Sequence, residues 1–328
     1  MRGDASGSQE ESGALSLPGA LRSRSRPRRF NRLESSERLA RLSITPYPSD
    51  MQTRLGHRPT RSVRPTLRIG SVSFLNAKPL IYGLDEAADL HLNLEVPSRL
   101  LAGLRAERFD VALLPVIDYQ RTPGLRLLTS GGIGCDGPTL TVRIFSPVPI
   151  EQIQTLACDT DSHTSVALAR VILAERYGLR PEFVDLKDRA PSPGQPDTAR
   201  LLIGDKVIAA EPAGFPHQLD LGEAWKQWTG LPFVFAAWMA RGGVDLGDLP
   251  DRLDRAKRAG LANVERIVAR EAEPRGWPQD VALAYLTRYL QYDITPRHLE
   301  AVGLFHRLAA RHGIIPDPPR GLALYRGA

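Results

Sequence analysis

Cysteine is scarce, with Cys135 and Cys158 the two in 328 residues. That is too few for a disulfide framework or a cysteine-built zinc site. Long apolar runs are missing as well. The longest, Leu231 to Ala240, has ten residues, about half of what a membrane-spanning helix needs. There is no Walker loop, H-E-x-x-H or G-x-S-x-G motif, and the seven histidines are scattered. A nucleotide- or metal-dependent enzyme is therefore disfavoured. His298, His306 and His312 fall in a C-terminal helical segment and read as surface residues.

Lysine is absent from residues 1–66, which hold 13 Arg and six acids, a net of +7. The whole chain carries +6, so residues 67–328 carry −1. The basic character belongs to the extension, which argues against a nucleic-acid footprint on the folded body. Phe30 and Tyr47 are the extension's aromatics. Such a segment cannot bury enough apolar surface to offset its ordering entropy. The composition predicts a disordered N-terminal extension over 1–66, or a chain start at Met51. No apolar run follows the first arginine as in a secretory signal, and Asp4, Glu10 and Glu11 argue against an organelle leader.

The remainder has the makings of a packed body. Hydrophobic residues are 42% of the chain and charged ones 24%, and the length suggests about two domains. Leu67 to Val72 reads as a buried strand, with Pro79 opening a helix lined by Leu80, Ile81 and Leu84. Ser98 is placed to cap a helix carrying Leu100, Leu101 and Leu104, and Val111 to Val116 follows as a strand. This alternation predicts a parallel sheet with helices on both faces. The style repeats in a strand at Thr155 to Asp159, a helix from Ser162 to Tyr177 stopped by Gly178, and strands at Phe183-Val184 and Leu201 to Asp205, the last two flanking a Pro-rich loop over 188–198. Thr139 to Ser146 and Phe233 to Arg241 are β-rich, and Thr295-Pro296 opens a last helix with Leu299, Val302, Phe305 and Ala309 inward. The reading is α/β: two lobes joined by two crossover strands around a central cleft. Lobe I is discontinuous, 67–146 plus 238–328, and lobe II is the insertion 147–237.

Four stretches can carry chemistry. Ser73-Phe74-Leu75-Asn76 lies past the carboxyl end of the first strand, where open α/β sheets place ligands. Asn76 offers two donors and an acceptor, or bonds its own turn. Gly134-Cys135-Asp136-Gly137-Pro138 makes a sharp turn toward Thr141, whose hydroxyl either faces the cleft or belongs to an ordinary strand residue. Cys135 reads as a small buried hydrophobe. Ser162, His163, Thr164 and Ser165 open a helix, where free N–H groups and hydroxyls bind a carboxylate or simply cap. Leu202-Ile203-Gly204-Asp205, with the aromatics from Trp225 to Phe235, suits a pocket wall or a core.

Taken together, these strings resemble the chorismate dehydratases of the futalosine route to menaquinone. The resemblance rests on Ser73-Phe74-Leu75-Asn76-x-x-Pro79-Leu80, Gly134-Cys135-Asp136-Gly137-Pro138, Thr164-Ser165-Val166, Leu202-Ile203-Gly204-Asp205 and Trp228-Thr229-Gly230-Leu231-Pro232-Phe233-Val234-Phe235-Ala236. It runs from about residue 67 to the C-terminus and leaves out 1–66. It implies a type II periplasmic-binding-protein-like fold working as a cytoplasmic enzyme. The implied reaction turns chorismate into 3-[(1-carboxyvinyl)oxy]benzoate and water without a cofactor. It implies Asn76 and Thr141 as the catalytic pair, Thr141 standing where relatives often have Ser. Substrate-binding positions would be Ser73, Asp136, Gly137, Ser162, His163, Thr164, Ser165 and Asp205. Two departures stand out: His163 replaces a common Arg, and Lys78 replaces a frequent apolar residue, adding charge near the mouth or lying exposed. The sister enzyme 1,4-dihydroxy-6-naphthoate synthase has a Cys-Pro-Asn-Asp type opening motif, unlike Phe74-Leu75-Asn76. A solute-binding protein for a small carboxylate fits the same architecture. The expected partner is a small molecule, with no nucleic acid and no membrane, and the sequence sets no oligomeric state.

Overall fold

The computed structural model describes residues 66–159, 162–186, 198–209 and 215–326. They belong to one compact unit, Arg61–Ala328. The extension expected over 1–66, Thr66 apart, and nearly all of the 188–198 loop lie outside the described residues. The strands run in order β1 (Leu67–Ser71), β2 (Leu90–Leu94), β3 (Val111–Pro115), β4 (Leu125–Cys135), β5 (Val142–Ser146), β6 (Thr155–Cys158), β7 (Glu182–Asp185), β8 (Thr198–Ile203), β9 (His217–Asp220) and β10 (Phe233–Arg241). They form two five-stranded sheets, ordered β2-β1-β3-β10-β4 and β7-β6-β8-β5-β9.

The two sheets share one plan. Three parallel strands lie at one side, and an antiparallel strand sits between them and an edge strand. All five residues of β3 are buried, as a strand covered on both faces requires. In β10, Trp238 pairs opposite Leu113 of β3, and Phe233 opposite Cys135 of β4. Trp225 and Phe305 meet Phe233 edge-on, each with ring centres 5.1 Å apart, a favoured aromatic geometry.

The chain passes between the sheets twice, through Asp136–Thr141 and through Gly230–Pro232. Each strand stays within one sheet, so the crossings are short irregular segments and not the strands expected. The boundaries expected at 146 and 238 also shift when the sheets are followed. By hydrogen bonding, β5 pairs with β8 and β9 in the second sheet, and the whole of β10 lies in the first. The apolar residues of β5 suit either sheet, and its partners lie far along the chain.

Local signals set most helix ends. Helix α1 (Pro97–Arg105) is opened by Pro97 after an extended Val96, so Ser98 is its second residue and not its cap. A proline at the first position brings a preset φ and no N–H to orphan. After β1, residues Leu75–Ile81 form a 3-10 helix with Pro79 inside it and not at its start. Ala77 and Leu80, three apart, share one fully buried face. Further helices are α2 (Asp118–Arg121), α3 (His163–Tyr177), α4 (Asp205–Ala209) and α5 (Leu221–Thr229). Ser162 caps α3, and Gly178 ends it in the left-handed region. Helices α6 (Leu249–Ala262) and α7 (Val264–Glu271) pack on the 3-10 helix. A Cβ on Gly260 of α6 would lie 2.2 Å from the Pro79 carbonyl oxygen. Lys78 is not exposed: it pairs with Glu271 of α7 at 3.0 Å, and it does not line the cavity at the strand ends.

Helix α8 (Gln279–Ala284) runs into a π-helical turn, Tyr285–Tyr289, and α9 (Pro296–Arg311) closes the fold behind a Thr295 capping box. Two of the three histidines expected at the surface are buried, His298 at 6% exposed and His306 at 2%, while His312, just past α9, is half-buried. The buried two fall on the helix face of Val302, Phe305 and Ala309, and hydrogen bonds serve both rings. His298 Nε2 donates to Gln291 Oε1 at 3.0 Å, and its Nδ1 faces Thr295 Oγ1 at 2.8 Å. Gln120 Nε2 donates to His306 Nδ1 at 2.9 Å, and His306 Nε2 donates to the Val116 carbonyl at 3.0 Å. Among the described residues no helix is long and apolar enough to cross a membrane.

Candidate active site

The carboxyl ends of β1, β2, β3, β6 and β8 open onto one cavity, the place where open α/β sheets hold ligands. Its lining bounds about 920 Å³ of non-atom space, a figure that includes open solvent. Phe74, Leu113, Ile133, Phe235 and Leu290 give it apolar walls. Polar groups converge from both halves: Asn76 and Tyr285 from the first, Thr141, Ser162, Ser165 and Asp205 from the second.

Asn76 is carried by the 3-10 helix after β1. Thr141 ends the first crossing, immediately before β5. Asp220 holds that crossing. Its carboxylate accepts the backbone N–H of Thr139 at 3.0 Å and of Leu140 at 2.9 Å. It also caps α5 through Gly222 and Glu223 at 3.0 and 3.1 Å. Leu140 sits at φ +68°, a conformation that costs a side-chain-bearing residue. One carboxylate therefore ties the crossing to a helix start and fixes the backbone beneath Thr141.

Tyr285 joins the two motifs. Its phenol Oη lies 2.8 Å from Thr141 Oγ1 and accepts from Asn76 Nδ2 at 3.4 Å. The residue is 1% exposed, and burial pushes its ionisation well up, so it stays a neutral phenol. Asn76 Oδ1 is buried with no hydrogen-bond partner among the described residues. Asp205 begins α4, and its Oδ1 accepts the Trp277 indole N–H at 2.9 Å. Burial pushes its carboxyl up, against the opposing effects of that N–H and of Arg275. Asp159 and Lys206 pair at 2.6 Å on the lining.

Five of the ten residues expected from the sequence line the cavity: Asn76, Thr141, Ser162, Ser165 and Asp205. Ser162 and Ser165 stand three apart at the start of α3 and share a face, their hydroxyls 2.9 Å apart. His163 and Thr164 point elsewhere on the same turn. His163 Nδ1 meets both carboxylate oxygens of Asp118 at 2.9 and 3.0 Å, and Thr164 Oγ1 accepts the Ile117 N–H at 3.4 Å. Ser73 is exposed and offers its carbonyl to Arg275. Asp136 is exposed and paired with Lys226. Gly137 shapes the crossing at φ +141° without lining the cavity.

The sequence reading missed Tyr285, Trp277 and Asp220. Tyr285 lies 209 residues from Asn76 and 144 from Thr141, so no local spacing could reveal it. Asp220 carried a readable signal, an Asp immediately before a helix. Gly132-Ile133-Gly134-Cys135-Asp136-Gly137 has the G-x-G-x-x-G spacing of dinucleotide sites. Its first four residues belong to β4 beside β10 and no helix follows, so the strand-to-helix context of that fingerprint is missing. Burial pushes both thiols up, Cys158 to about 12, in keeping with inert core cysteines. Among the described residues no group of three His, Cys, Asp or Glu could hold a metal ion.

Two sheets of one strand plan, crossed twice by the chain and sharing a cavity at their strand ends, define a periplasmic-binding-protein-like fold. A solved Archaeoglobus fulgidus protein matches with TM-score 0.58 and 16% identity, over 76% of this chain and 98% of its own. The periplasmic aliphatic sulphonate binding protein SsuA of Escherichia coli matches with TM-score 0.57 and 16% identity, over 80% and 95%. At such identities the likeness concerns the fold alone. The menaquinone biosynthesis family matches residues 67–311, and the chain belongs to that family. Two curated relatives are chorismate dehydratases. The Thermus thermophilus protein is 28% identical over 268 residues, 69% of this chain and 96% of the relative. The Campylobacter jejuni protein is 26% identical over 174 residues, 51% of this chain and 64% of the relative.

Proposed function

We propose that the protein is a chorismate dehydratase, a carbon–oxygen lyase that makes 3-[(1-carboxyvinyl)oxy]benzoate and water in menaquinone biosynthesis. One observation carries the reading. Asn76 and Thr141, from separate motifs, meet at one buried phenol on the wall of an apolar cavity. Family membership and the curated relatives support it.

The chemistry fits such a site. The C3–H bond breaks and its electron pair becomes the C3–C4 double bond. The C4–O bond breaks, and the hydroxyl takes up a proton to leave as water. The ring becomes aromatic, which supplies the driving force, so the reaction needs no cofactor. Neither Asn76 nor Thr141 is a general base at neutral pH, and the substrate's own enolpyruvyl carboxylate takes the C3 proton. The protein orients the ring between apolar walls, keeps water out and grips the departing hydroxyl through Asn76 and Thr141. Ser162 and Ser165, at the amino end of α3, anchor a carboxylate. His163 and Thr164 serve instead to tie α3 to the residues after β3. The enzyme works in the cytoplasm, where chorismate is available.

The test is incubation of purified protein with chorismate, followed by chromatography and mass analysis of the product. The substituted benzoate should appear, and should still appear with EDTA present. Chorismate recovered unchanged would overturn the reading in favour of a binding protein. A different product would point to the naphthoate-forming sister activity.

A further inference from the structure

We propose that Asp205 is the acid of the reaction: it carries a proton when a dianion fills the cavity, and it gives that proton to the departing hydroxyl. The inference deepens the dehydratase reading and rests on it for the identity of the leaving group. It supplies what Asn76 and Thr141 lack, a proton that can be given up near neutral pH.

The first argument is charge. Among the described residues the cavity lining holds four ionisable side chains: Asp159, Asp205, Lys206 and the phenol of Tyr285. The phenol stays neutral. Asp159 and Lys206 pair at 2.6 Å, so their charges offset each other. Asp205 is therefore the charge that a dianion would meet on the wall, and negative groups crowded into one apolar site do not all stay ionised. Its surroundings hold it charged only weakly. Oδ1 accepts the Trp277 indole N–H at 2.9 Å. Arg275, the cation facing it, stands 3.9 Å from Oδ2. That guanidinium is engaged elsewhere: Nη1 meets Glu271 at 2.7 Å, and Nη2 donates to the Ser73 carbonyl at 3.2 Å. Burial pushes the carboxyl up in spite of Trp277 and Arg275, and a dianion arriving beside it pushes it further the same way.

The second argument is position. Asp205 follows Gly204, whose N–H donates to the Thr141 carbonyl at 2.8 Å. Trp277 meets Asp205 with its edge and Tyr285 with its face, ring centres 4.9 Å apart. The Tyr285 phenol in turn lies 2.8 Å from Thr141 Oγ1. The acid thus belongs to the cluster that grips the hydroxyl. With Oδ1 held by the indole, Oδ2 carries the proton. In the step, the Oδ2–H bond breaks and an O–H bond forms on the C4 oxygen, which takes the C4–O electron pair and leaves as water. The C3–H pair becomes the ring double bond, and the C3 proton passes to the enolpyruvyl carboxylate. Asp205 ends as a carboxylate, and the product's new carboxylic acid returns the proton to it. The sum is chorismate to the benzoate and water, with no other reactant.

The test compares the full chain with Asp205→Asn, which keeps the shape and the acceptor for Trp277. Calorimetric titration with isophthalate, an aromatic dianion, in buffers of different ionisation enthalpy counts the protons taken up on binding. Between pH 6 and 9 the unaltered protein should take up about half a proton or more, and its Kd should rise with pH by up to about tenfold per unit. Asp205→Asn should take up close to none and should bind isophthalate at pH 8 at least as tightly. With chorismate, kcat/KM of the unaltered protein should fall as pH rises, and the variant should lose about 100-fold or more in kcat with KM no higher. The assignment is overturned if the unaltered protein takes up no proton or fails to bind isophthalate at millimolar concentration. It is overturned too by a kcat/KM that rises with pH, as a base would give, or by a variant kcat within about threefold of the unaltered value. The measurements on the unaltered protein stand even if Asp205→Asn fails to fold. Chorismate left unchanged by the unaltered protein sinks the dehydratase reading and the acid role with it, whereas turnover accompanied by any of the contrary results sinks the acid role alone.

Discussion

Trp277 lies nearly flat on Tyr285, with ring centres 4.9 Å apart and planes 23° from parallel, while its indole N–H donates to Asp205 at 2.9 Å. One side chain thus braces the phenol with its face and a half-buried carboxyl with its edge. Trp277→Phe should keep the bracing and lose the hydrogen bond. That bond favours the charged form of Asp205, whose carboxyl burial already pushes up. The loss should be felt where the carboxyl is ionised and fade in acid, where it is protonated with or without the indole. We expect a cost of about 1–2 kcal/mol at pH 8 and much less near pH 4, read from urea unfolding. Equal losses at both values would contradict this.

His306 should set part of the acid limit of the fold. Burial lowers its ionisation from 6.5 to about 4. Its Nδ1 accepts from Gln120, and its Nε2–H donates to Val116, so the neutral ring is the one that fits. A group held neutral in this way contributes stability in full above its ordinary value and loses it as pH falls toward the folded one. Between pH 6.5 and 4 the protein should lose roughly 3 kcal/mol from this group. His306→Gln should start less stable at pH 7 and show a shallower slope over that window. A slope equal to that of the unaltered protein would remove His306 from the account.

Asp220→Ala should be among the most damaging substitutions away from the cavity wall. It strips four backbone N–H groups of their acceptor, at Thr139, Leu140, Gly222 and Glu223. The expected cost is about 3 kcal/mol or more, with a fall in kcat as Thr141 loses its support. Adding Leu140→Gly should return about 1 kcal/mol by easing the left-handed backbone. Thermal melts of the single and double variants, with kcat for each, check both statements.

Asn76→Ala should lower kcat about 10- to 150-fold, from loss of a hydrogen bond in the site worth roughly 1.5–3 kcal/mol. Its melting temperature should change little, since Asn76 is only half-buried and bonds to Tyr285 at a long 3.4 Å. Asn76→Asp should also raise KM by setting a negative charge before a dianion, and the effect should ease as pH falls and the new carboxyl protonates. A large loss of melting temperature with near-normal turnover would mark Asn76 as a structural turn residue.

What could be read beforehand follows from how local its cause is. The start and stop of α3 at Ser162 and Gly178 and the apolar run of β10 are written within a few residues, and the structure keeps them. The placement of β5 is not, because it depends on β8 and β9, whose pairing partners lie some 55 to 80 residues on. At α3 the residue types pointed to a ligand, but only helix geometry separates Ser162 and Ser165 from His163 and Thr164. The buried histidines of α9 were within reach. His298 and His306 stand four residues before and after Val302, on the inward stripe of α9, so helical phase places them inside although their polarity suggests the surface.

The two crossings divide the site's ownership. Asn76, Trp277 and Tyr285 come from segments packed on the first sheet, and Thr141 and Asp205 flank strands of the second. Any swing of one half away from the other would part Thr141 from the phenol and Asp205 from the indole. Asn76 and Thr141 would then turn freely, each hydrated on its own. The dehydratase proposed above would therefore need both halves held together at the phenol, and a substrate that touches Asn76 and Thr141 at once would hold them so.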